Sequence, residues 1–188
     1  MMVRAAAVGI MGLGFEGIAD CQPRFLSMLL NSSPRGVVEN SKYMTMESAW
    51  RVILGDGDLK SMSIIPSNIP ITNPTMGQPS LDLNSVSLQE ELNAVYREFS
   101  RQLGRGIIAA SINTFERHST CDALNLIDSY LESMYTKLDS FMFFSPYGGL
   151  EGGSRSRYGI YISTVQRPQE DQTIKLEEIM PLMLELNQ

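Results

Sequence analysis

The chain has few charged residues, one histidine and two cysteines, and each scarcity argues against a class of function. Charged residues make up 19% of the 188 residues, and the net charge is −6. The clustered lysine and arginine that a sequence-independent nucleic-acid binder needs are therefore missing. One histidine and two cysteines are too few for a structural zinc site of the usual kind. We expect no cofactor, no metal site and no direct sequence-specific binding of nucleic acid.

The sequence also lacks a long apolar run and a good secretion signal. No stretch reaches the roughly 18 to 20 apolar residues that a membrane span needs. The apolar residues after Arg4 resemble a signal sequence, but glycines interrupt them, and Asp20 precedes Cys21 where a small residue would be expected. Cys21 and Cys121 could pair, but a lone pair is unlike a disulfide framework, so we expect free buried thiols. These features predict a cytoplasmic or virion location.

The strongest pattern that is present is helical periodicity between residues 87 and 143. In two segments, apolar residues recur three or four positions apart, which places them on one helix face. The first, about 87–103, begins with Ser87 and Glu90 at the spacing of a capping box. The second, about 120–143, has a heptad seam that ends at Phe141. We predict one domain, residues 1–188, with an α+β, mainly helical fold built on these packed helices.

Other segments predict smaller elements around this helical core. Residues 107–115 are strongly apolar and fit either a short helix or a buried strand. Residues 158–165 alternate and predict a strand, and residues 173–176 could pair back with it as a hairpin. Residues 44–54 have helical spacing and end at Gly55, and we expect Trp50 to be a core anchor.

Two segments predict contacts with other subunits. Four prolines in residues 61–84 exclude a helix and indicate an extended arm. Isoleucines in this arm and leucines in the apolar C-terminal tail are typical of residues that become buried. The expected contact residues are Ile64, Ile65, Ile69 and Ile71 in the arm and Leu182, Leu184 and Leu186 in the tail.

A glycine-rich segment, residues 145–157, predicts a flexible loop. It carries Arg155 and Arg157, so its backbone amides and guanidinium groups could cradle an anion. The segment lacks the Gly-Lys-Ser/Thr ending of a P-loop. We therefore favour a plain connector.

The N-terminal segment contains a match to a dinucleotide-binding motif. Gly12, Gly14 and Gly17 have the spacing G-x-G-x-x-G after a predicted strand, and Glu39 follows about twenty residues later, where the ribose would bind. Pro23 comes soon after the motif, and the rest of the chain does not alternate strand and helix as a doubly wound sheet requires. Dinucleotide binding is therefore an alternative hypothesis.

No catalytic constellation can be recognised in the sequence. The nucleophile-elbow, zinc-protease and P-loop motifs are all missing. Together with the arm, the tail and the sparse charge, this predicts a non-enzymatic structural subunit of a larger assembly, such as a virus or phage particle. Its partners would be other protein subunits in a homo-oligomer or hetero-assembly. The alternatives are a small dinucleotide-binding enzyme and an adaptor whose helical seam binds a partner helix.

Overall fold

The computed structural model describes residues 3–55, 62–64, 86–167 and 172–188. The strands in these ranges are β1 (Ala5–Ile10), β2 (Arg35–Glu39), β3 (Met62–Ile64), β4 (Ile107–Ile112), β5 (Ser140–Phe144), β6 (Leu150–Glu151), β7 (Ser154–Arg155), β8 (Tyr158–Ser163) and β9 (Thr173–Lys175). The helices are α1 (Phe15–Cys21), α2 (Arg24–Ser32), α3 (Met46–Leu54), α4 (Leu88–Gln102), α5 (Cys121–Tyr135) and α6 (Ile179–Glu185).

Within the described ranges, seven strands form one mixed sheet in the order β3-β4-β1-β5-β8-β2-β9, and β6 and β7 form a separate hairpin. β1 pairs in parallel with β4 on one side and β5 on the other. β8 runs antiparallel to both β5 and β2, and β9 is parallel to β2. All strands of the sheet except β8 therefore end at the same side, which we call the carboxyl edge.

The prediction of a mainly helical fold is wrong, because the centre of the molecule is a sheet covered on both faces. β1 and β4 are six-residue runs that are buried throughout. Strands buried on both faces are continuous apolar runs, which lack the alternation that identifies a strand in a sequence. Helices α1, α2, α4 and α5 contribute to the core on one face, and α3 and α6 to the core on the other. The fold is α/β.

The two helices predicted from periodicity have different outcomes. α4 confirms the first, and its capping box is present, with the Ser87 N–H donating to the Glu90 carboxylate at 2.8 Å. The second prediction joined a helix and a strand, since α5 ends at Tyr135 and β5 begins at Ser140. Apolar residues at four successive positions of β5 suit a strand between two helical layers.

The smaller elements are largely strands, and one of them pairs differently from the prediction. Residues 107–112 are a strand, β4, and β8 confirms the predicted strand after residue 157. β9 does not form a hairpin with β8 but lies parallel to β2. Trp50 is fully buried, and its Nε1 donates to Ser111 Oγ at 2.9 Å, which confirms the core anchor.

The predicted arm is only partly covered by the structure. Its residues Met62–Ile64 form the edge strand β3, which pairs in parallel with β4. Ile65, Ile69 and Ile71 lie outside the described residues.

The apolar tail packs on the domain itself. It forms α6, in which Leu182 lies, and both Leu182 and the following Leu186 are buried in the core on the α3 side of the sheet. Leu184 is partly buried against the same core. The apolar character of the tail is therefore explained by the folding of this chain.

No helix in the described ranges is long and apolar enough to cross a membrane.

Cys21 and Cys121 form a disulfide, so the expectation of free thiols is wrong. The bond joins the last residue of α1 to the first residue of α5, with the Cα atoms 5.1 Å apart. These helix ends meet because α1 follows β1 and α5 follows β4, and the two strands are neighbours in the sheet. That neighbourhood could not be read from a sequence separation of 100 residues.

Replacing both cysteines with serine is expected to lower the free energy of unfolding by about 2–5 kcal/mol, because the bond restricts a long loop in the unfolded chain. Urea denaturation of Cys21→Ser/Cys121→Ser beside the unchanged protein measures the difference. A reducing agent should destabilise the unchanged protein by a similar amount and leave the double variant unaffected. Equal stability of the two proteins without reductant would contradict the prediction.

Candidate active site at the carboxyl edge

A cleft of about 220 Å³ lies at the carboxyl edge, between the segments that follow β1, β4 and β5. One wall is the turn from β1 into α1, and another is the approach to α5. The third is formed by strand β6 and the residue before it. Ligands of open α/β sheets bind outside the carboxyl ends of the strands, so this cleft is the first candidate for a functional site.

The structure brings the three motif glycines together at this cleft. Gly12 has φ +84°, a left-handed conformation that favours glycine, and a Cβ there would lie 3.2 Å from Glu116 Cα. Gly14 is the N-cap of α1, and Gly17 lies within that helix. The glycine turn therefore allows the segment after β1 to pass close to the segment after β4.

Glu39 lies elsewhere along the carboxyl edge. It ends β2, which is three places from β1 in the sheet order, a distance of about 14 Å at the usual strand spacing. In a dinucleotide-binding fold the acidic residue follows the strand adjacent to the glycine turn. The structure thus separates Glu39 from Gly12, Gly14 and Gly17, and the dinucleotide hypothesis loses its proposed ribose contact.

Carboxylates determine the charge of the cleft. Three exposed acidic residues line it: Glu16, Asp20 and Glu151. The hydroxyl residues Ser119 and Thr120 lie beside them, and no lysine or arginine lines the cleft in the part of the chain that the structure describes. Such a cleft accepts hydrogen bonds from hydroxyl or ammonium groups and repels phosphate and sulfate.

A partly buried ion pair lies behind the glycine turn. The Glu116 carboxylate binds the Arg155 guanidinium, and the two side chains are 11% and 22% exposed. Arg155 also lies over the ring of Tyr147, 4.8 Å from its centroid, and the Tyr147 hydroxyl donates to Glu116 Oε2 at 3.1 Å. The three side chains come from three separate segments: Glu116 follows β4, Tyr147 follows β5 and Arg155 ends β7.

Burial perturbs the proton affinities of this cluster. It raises the pKa of Glu116, and the positive charge of Arg155 offsets part of that rise. Burial and the neighbouring Glu116 carboxylate also raise the pKa of Tyr147, so the phenol stays protonated and acts as a donor. Perturbed pKa values cluster at functional sites, so this cluster marks the carboxyl edge as a candidate for one.

The segment predicted as a flexible loop, residues 145–157, supplies much of this site. Its first part is buried, and Ser145 Oγ accepts the Leu13 N–H at 3.1 Å and donates to the Tyr147 carbonyl at 2.6 Å. Its second part is the β6–β7 hairpin, which turns through Gly152 and Gly153 at positive φ. Arg155 is bound to Glu116, so it does not serve the anion cradle considered from the sequence.

Glu91 fixes the segment that carries Glu116. Its carboxylate accepts the N–H groups of Asn113 and Thr114 at 2.9 and 3.0 Å, and the residue is 1% exposed. Its neighbour Glu90 caps the same helix in solvent, so two adjacent glutamates of one helix have different environments. The position of Glu91 in the helix could have identified it, because Glu91 lies four residues before the buried Val95 and therefore on the same face of the helix.

Sequence reasoning missed Glu116 and Tyr147, and it considered Arg155 only for an anion cradle and not for an ion pair with Glu116. No short motif contains them, because their proximity depends on which strands are neighbours. For Glu116 and Tyr147 the useful signal was position, because polar residues within a few positions after a buried strand tend to lie at the carboxyl edge. Among the described residues, no group of three or more His, Cys, Asp or Glu is placed to hold a metal ion.

Comparison with known proteins places the fold. No protein-family model and no curated protein sequence matches the chain. The C-terminal periplasmic domain of EcEptC from Escherichia coli is similar in structure, with a TM-score of 0.59 and 13% identity over 100% of this chain and 82% of that one. Ps i-CgsB, solved in complex with k-i-k-neocarrahexaose, has a TM-score of 0.55 and 8% identity over 100% of this chain and 72% of that one. At these identities the likeness shows the fold alone.

The comparisons overturn the prediction of a structural subunit of a virus particle. One similar structure is a periplasmic domain and the other is a protein bound to an oligosaccharide. The tail residues Leu182 and Leu186, on which that prediction partly depended, are buried in the domain's own core. The sparse charge of the chain also has a local explanation, since the sheet is covered on both faces and needs many apolar residues.

Proposed function

We propose that the chain is an enzyme-like domain that binds a polyhydroxylated ligand of the saccharide class in the carboxyl-edge cleft. The observation that carries this proposal is the cleft lining, with carboxylates from Glu16, Asp20 and Glu151 beside two hydroxyl residues. Carboxylate oxygens accept strong hydrogen bonds from hydroxyl groups, and a sugar offers several hydroxyls in fixed positions. Leu150, which is 67% exposed at the cleft, offers an apolar contact for the C–H face of a sugar ring.

The fold comparison supports the same class of ligand. Ps i-CgsB shows that a protein of this general fold can hold an oligosaccharide. The acidic lining of the cleft also opposes the dinucleotide alternative, since a pyrophosphate would meet several negative charges there.

Glu116 is a positioning residue behind the cleft wall, since it does not itself line the cleft. Its Cα lies close to Gly12 at the cleft wall, and burial raises the pKa of its carboxyl group. Arg155 and Tyr147 fix its orientation through the ion pair and the hydrogen bond. Through these contacts Glu116 holds the loop after β5 and the β6–β7 hairpin against the segment after β4, and so positions the walls of the cleft.

We place the domain in an oxidising compartment. The Cys21–Cys121 disulfide supports this location, because disulfides persist outside the reducing cytosol. The cytoplasmic or virion location predicted from the sequence assumed free thiols. Association with other subunits remains a prediction that no observation on this chain addresses.

Replacing Asp20 with asparagine or Glu151 with glutamine is expected to weaken saccharide binding about tenfold each, since each change removes a charged hydrogen-bond acceptor. Isothermal titration with neutral mono- and oligosaccharides measures the effect. Both residues are exposed, so the variants should fold normally. Glu47→Gln is the matched control, because it also removes an exposed carboxylate, one that pairs with Arg51 on α3. This variant should bind like the unchanged protein.

Two outcomes would contradict the proposal. One is that the unchanged protein binds none of the saccharides. The other is that simple primary amines bind to the cleft in preference to sugars, which would show that the carboxylates select a cation.

A further inference from the structure

We infer that the saccharide site continues along the carboxyl edge from the cleft, across Tyr158, to a second pocket, so that its ligand is a linear oligosaccharide. This inference rests on the function proposed for the cleft. It adds the length of the ligand and the residues that bind its far end.

The second pocket has a volume of about 290 Å³ and lies where β2 and β9 end. Its lining includes Glu39 and Lys42 from the β2 side and Lys175 and Glu177 from the β9 side. The ends of β2 and β1 are three strand spacings, or about 14 Å, apart, so a chain of about four pyranose units is needed to occupy both pockets. The two lysines balance the two glutamates in formal charge, so a neutral chain suits this pocket.

Tyr158 lies between the two pockets. It is the first residue of β8, the strand between β5 and β2, and β8 begins at the carboxyl edge because it runs antiparallel to both. Its carbonyl oxygen is 3.8 Å from the position of a Cβ on Gly14, so the strand starts beside the cleft wall.

The Tyr158 side chain has the properties of a platform for a sugar ring. It is 43% exposed, unlike most large apolar and aromatic residues in the described ranges. The Arg157 guanidinium lies 4.8 Å from the ring centroid and donates a hydrogen bond to the phenolic oxygen. An aromatic ring that is held in place while part of it faces solvent provides contact area at a small cost in conformational entropy.

Asn40 fixes the second pocket to the rest of the edge. It is 3% exposed, and its Nδ2 donates to the Tyr43 carbonyl at 2.7 Å and the Pro146 carbonyl at 3.1 Å. Its backbone N–H donates to the Arg157 carbonyl at 2.8 Å. The pocket wall is thus bonded both to the loop after β5 and to the residue before the platform, which makes the path preorganised for a ligand.

The test is a series of galacto-, gluco- and manno-oligosaccharides of one to six units, titrated calorimetrically. Affinity is expected to rise with length up to about four units and then to stay constant. Tyr158→Ala should lose about tenfold in affinity for the tetrasaccharide and bind the monosaccharide normally. Tyr158→Phe keeps the ring and should retain most of the affinity. Met28→Ala, which removes a half-exposed apolar side chain on α2, serves as the surface control.

The outcomes separate this inference from the function on which it rests. If the monosaccharide binds as tightly as the tetrasaccharide, or if Tyr158→Ala leaves tetrasaccharide affinity unchanged, the extended site is refuted and the cleft proposal stands. If no oligosaccharide of any length binds the unchanged protein, both are refuted. A thermal unfolding transition of Tyr158→Ala at the unchanged temperature verifies that the variant is folded.

Discussion

Replacing Gly159 with alanine is expected to lower the free energy of unfolding by about 4 kcal/mol or more, enough to threaten folding of the domain. A Cβ at this position in β8 would lie 1.8 Å from the Ser145 carbonyl oxygen and 2.8 Å from the Tyr147 backbone nitrogen. These backbone atoms cannot move away without loss of the 2.8 Å hydrogen bond from Ser145 N–H to the Ile160 carbonyl. Soluble yield and thermal unfolding measure the effect.

Gly17→Ala is the matched control for Gly159→Ala, since it makes the same chemical change in α1. The nearest atom to a Cβ there is Leu13 Cδ1 at 3.6 Å, an ordinary contact. Alanine also restricts the unfolded chain and suits a helix, so a gain of about 0.5–1 kcal/mol is expected. Normal stability of Gly159→Ala would show that the loop after β5 can shift, and would weaken the argument that this loop holds Tyr147 in a fixed position.

The parts of the fold that could be predicted from the sequence depend on local patterns. α4 was predictable because it has one buried face and because its cap, Ser87 with Glu90, is complete within four residues. β8 was predictable in position because its residues are β-formers bounded by turn residues. In both cases the information lies within one element.

A strand was predicted before Gly12 and was one of two alternatives for residues 107–115, but the sheet as a whole could not be predicted because its strands resemble other buried segments. β5 continued the heptad seam of α5 in the sequence, and only its burial on both faces distinguishes it from a last helical turn. β1 contains three alanines and a glycine, which have little preference for a strand and are selected here by close packing between two helical layers. Tertiary packing, and not local preference, decides these segments.

The candidate site was out of reach for a different reason. Glu116, Tyr147 and Arg155 are close because β4, β1 and β5 are neighbours, and no local pattern encodes that order. The glycine motif marks a turn that makes a close approach, and the segment it approaches is a protein segment at Glu116. The apolar tail was likewise correctly identified as a segment that must be buried, while the surface that buries it belongs to the same chain.

Replacing Glu91 with alanine is expected to lower the free energy of unfolding by about 3 kcal/mol. Asn113 and Thr114 would each keep a buried backbone N–H without the carboxylate that now accepts it. Chemical denaturation near neutral pH measures the loss. Glu98→Ala, which removes a partly exposed carboxylate that pairs with Arg101 on the same helix, is the comparison variant and should cost less than about 1 kcal/mol. A loss for Glu91→Ala as small as that of Glu98→Ala would contradict the prediction.

The pH dependence of Glu91→Gln tests whether the buried group is a titrating carboxyl. Burial raises the pKa of Glu91 above 4.5, and the N–H donors and the Arg117 charge offset only part of this rise. At a pH between 4.5 and the raised pKa, Glu91 is protonated in the folded chain and has lost its proton in the unfolded chain. The corresponding stability is complete below pH 4.5 and is lost as the pH rises through the folded pKa.

Glutamine keeps an acceptor oxygen without titrating, so Glu91→Gln should remove this decline from the curve of stability against pH. Glu90→Gln should have the opposite effect, because hydrogen bonds from Ser87 lower the pKa of Glu90. The stability that Glu90 contributes is present above its unfolded pKa and is lost as the pH falls. Two adjacent glutamates of one helix are therefore expected to change the pH profile in opposite directions, because one carboxyl group is buried against the segment that carries Glu116 and the other caps the helix in solvent.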